Sequence, residues 1–228
     1  MKKIITAKEA AALVKDGMSV MFGGFTGCGA ALDVIEAMDS SEVKDIHAII
    51  NDSALLNGAD GSEHYAWARL IHSGKMTEYI GSHLGTNPEA SQLWAEGKLK
   101  VTLVPQGSLA EMIRAGGCGL GGVLTPTGVG TIVEDSPLVY QKMELNGKDY
   151  LLMKPLRADV AIISACKADK AGNLWYKGTT KNFNTLMAMA ADTVIAEVEE
   201  LVEVGEIEPE NVATSGILVD YLVIRGTK

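Results

Sequence analysis

The sequence predicts an α/β protein: an open, largely parallel sheet flanked by helices, with a small antiparallel hairpin beside it, in one domain spanning residues 1–228. Three observations predict it. Val20, Met21 and Phe22 form a continuous apolar run, the pattern of a strand buried on both faces of an α/β sheet. Further apolar strand candidates alternate with segments of helical spacing along the first half of the chain. Asn146-Gly147, between residues of strand character over 142–153, is the strongest hairpin signal present.

Residues 7–14 have helical periodicity and end at Asp16-Gly17, a turn leading into the strand at 19–22. After a glycine-bearing loop, Leu32, Ile35 and Glu36, with Val34 and Met38 alongside, give the next helix. Residues 46–50 form a second strand ending in the polar Asn51-Asp52-Ser53; the region 57–61 is loop, 65–72 a helix and 76–80 a strand. Pro88 suits the first turn of a helix over 90–96, and Asn87 is explained equally by turn chemistry and by ligand contact. Residues 99–104 alternate toward a strand that stops at Pro105-Gln106-Gly107-Ser108, before a helix over 109–114. The glycine-rich region 116–131 carries too many apolar residues, among them Leu120, Leu124 and Ile132, for a solvated linker. Beyond the hairpin, 158–165 is a strand, 171–173 a turn, 174–176 a short strand and 183–191 a Met- and Ala-rich helix. Residues 193–196 begin a strand, the acidic stretch 197–210 is expected to be a solvated surface, and 212–224 closes the fold.

The loop after the first core strand holds the leading candidate site. Gly23, Gly24, Gly27 and Gly29 fall within seven residues, together with Phe25, Thr26 and Cys28. Glycine lets backbone amides approach an anion, and the helix that follows aims its positive end at the loop. The loop therefore suits a carboxylate, a phosphate or a developing oxyanion, although a tight turn alone explains it equally well. It is neither a dinucleotide fingerprint, since the third glycine would fall at Leu32, nor a Walker loop, since no GK[ST] follows. Gln106, at a strand end, is placed to donate a hydrogen bond to a carbonyl oxygen.

A net charge of −9 without a basic run argues against nucleic acid or an anionic membrane surface as partner. No stretch is apolar enough to span a bilayer, and the start lacks a signal-peptide core, so a cytoplasmic protein is expected. Cys28, Cys118 and Cys166 are too few and too scattered for a disulfide framework, and His47, His64, His72 and His83 have no metal-ligand spacing, so no metal is expected. Cys28 has no recognisable base to make it a nucleophile.

Phe22-Gly23-Gly24-Phe25 followed by Gly27 and Gly29 resembles the GGFxxxG motif at the amino end of family I coenzyme A-transferases, with Ala30 and Ala31 where that motif usually has a proline. Further blocks resemble the same family in order along nearly the whole chain: Gly85-Thr86-Asn87-Pro88-Glu89, Pro105-Gln106-Gly107, Ile113-Arg114-Ala115-Gly116-Gly117, Thr125-Pro126-Thr127-Gly128, Pro155-Leu156-Arg157-Ala158-Asp159, Gly172-Asn173-Leu174 and Asn182-Phe183-Asn184. In detail the chain looks like an alpha subunit of the acetate or butyrate:acetoacetate type. The resemblance implies ping-pong transfer of CoA, as co-substrate, between a short-chain acyl-CoA (acetoacetyl-, butyryl- or acetyl-CoA) and a free carboxylate. It implies that Gly23 to Gly29 binds CoA and that Gln106 contributes to the oxyanion hole. The family's nucleophilic glutamate lies in a Glu-Asn-Gly or similar motif of the beta subunit, and this sequence has none, so a beta subunit is the expected partner, in an α₂β₂ or larger assembly.

Three alternatives stay open at this point. One is a succinyl-CoA-dependent 3-oxoacid CoA-transferase subunit; another is a module that binds CoA or a phosphate ester without turnover. The third, a sugar-phosphate isomerase, would need Asp52 or His83 as general base.

Overall fold

The computed structural model describes residues 1–58 and 61–227; residues 59 and 60 of the expected 57–61 loop lie outside the described residues. The chain begins with β1 (Lys3–Ile4) and α1 (Ala7–Ala11). A capping box starts that helix: Thr6 Oγ1 accepts from the Glu9 N–H at 3.1 Å and the Glu9 carboxylate accepts from the Thr6 N–H at 2.8 Å. Then come β2 (Ser19–Phe22), α2 (Leu32–Asp39), β3 (Ile46–Ile49), α3 (Ala68–His72), β4 (Met76–Gly81), α4 (Pro88–Ala95), β5 (Lys100–Leu103) and α5 (Gln106–Gly117). The remainder holds β6 (Val123–Thr125), β7 (Val139–Leu145), β8 (Lys148–Met153), β9 (Ala158–Asp169), β10 (Leu174–Trp175), α6 (Asn184–Met187), β11 (Ala191–Val202) and β12 (Tyr221–Ile224).

The main sheet runs β1-β12-β11-β9-β2-β3-β4-β5, with every one of these pairings parallel; β10 alone adds antiparallel, on β9. From β2 the chain steps outward to β3, β4 and β5, whereas from β9 it steps the opposite way to β11 and β12. The strand order therefore reverses between the adjacent β2 and β9. In open parallel sheets a ligand crevice forms at such a reversal, beyond the carboxyl ends of the strands.

Both faces of the sheet are covered, as the continuous apolar runs predict. Val20, Phe22, Val160 and Ile162 enter one core with α1, α2, α3 and α4, while Met21, Ala161 and Ile163 enter a second core with α5 and α6. The second core also takes Leu151 and Met153 from the antiparallel sheet β6-β8-β7, which is the expected hairpin plus one further strand. Asn146, at φ 53°, and Gly147, at φ 76°, make its two-residue turn.

Four expectations need correction. The helix after β5 starts at Gln106, with Pro105 as its N-cap, and not at residue 109: a fixed proline φ just before the first turn is compatible with immediate helix entry. The Met- and Ala-rich segment after Phe183 is helical only over Asn184–Met187, because Ala191 already belongs to β11. β9 extends past residue 165 to Asp169, paired along its length with β11. The acidic stretch from residue 197 is not uniformly solvated: β11 continues to Val202, and Glu197 is fully buried.

Candidate functional site

The glycine loop leaves β2 at the reversal point. Gly23 N–H donates to Ile162 O on β9 at 2.9 Å, which carries the backbone straight off the strand. Phe25 and Cys28 then exchange two backbone hydrogen bonds, of 3.0 and 2.8 Å, around Thr26 (φ 48°) and Gly27 (φ 85°). The loop is thus a miniature hairpin with a left-handed two-residue turn.

Residues beyond the neighbouring strand ends fasten this hairpin. The buried Asp52, just past β3, accepts from Thr26 N–H at 2.7 Å, from Asn51 Nδ2 at 2.7 Å and from Ala54 N–H at 2.8 Å. Trp67 Nε1 donates to Asp52 O at 2.7 Å. On the other side, Asn182 Nδ2 donates to Cys28 O at 2.9 Å, and the buried Asn184 Nδ2 donates to Gly29 O at 3.1 Å and to Thr180 O at 2.8 Å. Asn184 Oδ1 accepts from Ser164 N–H at 3.0 Å, tying the loop to β9.

This frame gives the glycines an internal reason. A Cβ on Gly23 would lie 1.9 Å from Asn184 Oδ1, and one on Gly24, where φ is 133°, 2.9 Å from Trp67 Cη2. The inner side of the loop is close-packed protein; its exposed side is the tip. Phe25, Thr26 and Cys28 there line a cleft of about 540 Å³ with Thr179 and Asn182. Phe25 is 44% exposed, and Cys28 Sγ stands 3.5 Å from Thr179 Oγ1.

The sequence also suggests that the positive end of α2 serves the ligand. In the structure the protein uses it. Ala31, the N-cap, supplies no side-chain cap, and Glu197 Oε2 reaches across from β11 to accept from Val34 N–H at 3.0 Å. Burial pushes the Glu197 carboxyl above its ordinary value, against the opposing hydrogen bonds from Arg225 and Val34. Arg225 Nε donates to Glu197 Oε1 at 2.8 Å. Sequence reading missed this pair: a lone Glu in an acidic run carries no local sign of burial.

Gln106 opens α5 beyond β5 and is exposed. Beside it, a cleft of about 570 Å³ lies between α5 and β6, lined by Gly107, Ser108, Glu111, Arg114, Leu124 and Thr125. Gln106 and the glycine loop occupy the same rim of the sheet, three strand spacings or roughly 14 Å apart. They share an edge without forming one compact cluster.

Of the two isomerase residues, Asp52 is otherwise engaged, whereas the His83 side chain is exposed and only its backbone carbonyl is held. Asp52 spends its carboxylate on three N–H donors, which leaves it ill suited to remove a substrate proton. Tyr79 Oη donates to His83 O at 2.5 Å, and that carbonyl also accepts from Ser53 N–H at 3.2 Å. Asn87 is a buried N-cap for α4, accepting from the Glu89 and Ala90 N–H groups, so turn chemistry accounts for it.

Among the described residues, the fold brings together one set of ligand-type residues that linear spacing does not reveal: His64, His72 and Glu89. His72 Nδ1 lies 2.8 Å from Glu89 Oε1 and His64 Nδ1 lies 3.4 Å from Glu89 Oε2. The two imidazoles are stacked, 3.7 Å between centroids at 18°. Near-parallel rings direct their Nδ1 lone pairs side by side, so one ion cannot lie along both. His72 hydrogen-bonds the carboxylate, while His64 Nδ1 and Glu89 Oε2 are buried without a hydrogen-bond partner among the described residues.

Comparison with known proteins supplies the class. The family described as Coenzyme A transferase matches residues 4–225, and this chain belongs to that family. The chain is 44% identical over 222 residues to the acetate CoA-transferase subunit alpha of Escherichia coli (strain K12), covering 97% of this chain and 96% of that one. It is 44% identical over 221 residues to the acetoacetyl-CoA:acetate/butyrate CoA transferase alpha subunit of Clostridium acetobutylicum, covering 97% of each. Among solved structures, the acyl-CoA transferase YdiF from E. coli O157:H7, a thioester complex with CoA, superposes with a TM-score of 0.85 at 21% identity over 100% of this chain. This chain spans about half of that one, 48%. The likeness at that identity establishes the fold. Among the described residues no helix is long and apolar enough to cross a membrane.

Proposed function

We propose that this chain is the alpha subunit of a cytoplasmic CoA-transferase that moves CoA between acetoacetyl-, butyryl- or acetyl-CoA and a free short-chain carboxylate, and that it works only with a beta subunit. The end-to-end match, at 44% identity, to two alpha subunits acting on acetate or on acetoacetyl-CoA with acetate or butyrate carries this reading.

In the reaction we infer, a beta-subunit glutamate carboxylate attacks the thioester carbonyl, and the thiolate of CoA leaves an acyl-glutamyl anhydride. The thiolate then attacks the glutamyl carbonyl of that anhydride. This releases the first carboxylate and forms a glutamyl-CoA thioester. An incoming carboxylate reverses the two steps. This chain contributes binding and electrostatics. The tip formed by Phe25, Thr26, Gly27 and Cys28, held by Gly23, Gly24 and Gly29, receives the CoA moiety in the adjoining cleft. The Gln106 amide, on the same rim of the sheet, donates to the developing oxyanion. One such preorganised donor lowers a barrier by about 3 to 4 kcal/mol.

The test is transfer from acetoacetyl-CoA, butyryl-CoA or succinyl-CoA to acetate, or to acetoacetate for the succinyl donor, using this chain alone, the beta chain alone and the two mixed. Transfer in the mixture alone, with acetoacetyl- or butyryl-CoA preferred, is the expected result. Preference for succinyl-CoA would reassign the substrate, and CoA binding by a stable complex without transfer to any acceptor would favour a non-catalytic binding module.

A further inference from the structure

We propose that Glu197 and Arg225 are positioning residues for the glycine loop: together they fix its exit and the first turn of α2, so that the tip meets acyl-CoA in one conformation. The inference rests on the reading of the tip as the acyl-CoA site, and neither residue touches the cleft at that tip.

The bonds converge from segments distant in sequence onto four positions of the loop exit and helix start, Gly29, Ala30, Asp33 and Val34. Arg225 Nη2 donates to Ala30 O at 3.2 Å and to Ser164 Oγ at 3.0 Å. Ser164 N–H donates to Asn184 Oδ1, whose Nδ2 holds Gly29 O, so the guanidinium grips the loop exit both directly and through Ser164 and Asn184. Glu197 Oε2 accepts from Val34 N–H, and Gly226 N–H, next to Arg225, donates to Asp33 Oδ2 at 2.6 Å. Arg225 Nη1 completes the set on Glu199 Oε1 at 2.8 Å. Glu197 is fully buried and the Arg225 side chain is 30% exposed.

Stability alone does not call for such a pair. Two well-packed apolar side chains in place of a buried ion pair leave a fold as stable or more so. What apolar groups cannot supply is a set of directional bonds to named carbonyl and amide atoms. All the backbone atoms bound by Arg225 Nη2 and Glu197 Oε2 belong to the glycine loop's exit or to α2. The pair stands behind the loop, beside a cavity of about 80 Å³ lined by Gly27, Gly29, Tyr65, Ser164, Thr180 and Arg225.

The experiment follows hydrogen exchange in residues 23–31 and kinetics in the chain assembled with its beta subunit, for Arg225→Ala, Arg225→Lys and Glu197→Gln. Arg225→Ala is expected to speed exchange over 23–31 about tenfold or more while β4 and α5 stay protected, because it opens that segment locally. In the same variant the KM for acetoacetyl-CoA should rise about tenfold while the KM for acetate holds within about twofold, a split that general loss of stability does not produce. Arg225→Lys, still able to reach Glu197, should restore part of both. If Arg225→Ala unfolds the chain, Arg225→Lys and Glu197→Gln decide by the same two readouts. Wild-type exchange over 23–31 in the folded variants, or an equal rise in both KM values, overturns the proposal. Acetoacetyl-CoA failing to protect residues 23–31 of the wild-type complex would instead overturn the reading of the tip as the acyl-CoA site.

Discussion

The carboxylate of Asp52 accepts the backbone N–H of Thr26 at 2.7 Å, so the end of β3 holds the tip of a loop that belongs to β2. Thr26 sits at φ 48°, a left-handed conformation that a threonine adopts only where its surroundings enforce it. Asp52 is that enforcement, and it also satisfies Asn51 Nδ2 and Ala54 N–H.

Asp52→Ala leaves the buried Asn51 and Ala54 donors without that acceptor, at about 1 to 3 kcal/mol for each, and frees the part-buried Thr26 N–H. We expect a loss of at least about 2 kcal/mol in denaturant unfolding, with Asp52→Asn losing less because one acceptor oxygen remains. Equal stability of wild type and Asp52→Ala would mean that the carboxylate does not hold the loop.

The glycines separate into those the protein packs against and those it does not. Gly24→Ala should lower stability by about 2 kcal/mol, from backbone strain at positive φ and the approach to Trp67. Gly107 has open space around its missing Cβ and ordinary helical backbone, so Gly107→Ala should be neutral or stabilising by up to about 1 kcal/mol. Thermal unfolding of both variants checks the pair, and the opposite ranking would contradict the loop geometry.

Much of this arrangement was legible before the structure. The apolar run of β2, the Asn146-Gly147 turn and the ordered set of family-like blocks follow from local pattern, and local pattern is what a sequence displays. What it concealed depends on contact across the sheet. The glycines invited a ligand explanation, and only the fold reveals Asn184 and Trp67 standing where their Cβ atoms would be. The end of α2 looked available to an anion, but Glu197, 163 residues away in sequence, fills it. His72 and Glu89 meet because α3 and α4 lie side by side, and His64, ahead of α3, stacks on His72, with no repeat in their spacing to announce it.

Gln106 is exposed, so its replacement tests chemistry with little effect on folding. Gln106→Ala should lower kcat about 10²- to 10³-fold while the KM for acyl-CoA changes little, with unfolding unchanged. Wild-type turnover would remove Gln106 from the oxyanion hole.

Glu197 gives a pH prediction with a defined sign. Its folded carboxyl titrates above the ordinary value of 4.5, chiefly through burial. The native state thus holds this proton at higher pH than the unfolded state does. The corresponding stability is fully present below 4.5 and is lost as pH rises through the folded value. Relative to Glu197→Gln, which cannot titrate, wild type should gain stability as pH falls from neutral toward 4.5. A difference between the two proteins that is flat over that window, in parallel denaturant titrations, would contradict the raised value.

The central claim is that this chain shapes and polarises an active site whose nucleophile belongs to its partner. Intact-mass measurement of the assembled enzyme after incubation with acetoacetyl-CoA, in the absence of an acceptor carboxylate, tests it most directly. The account predicts a covalent CoA adduct on the beta chain and unmodified mass for this one. An adduct on this chain would contradict it, and would place the attacking group among the carboxylates or thiols described here.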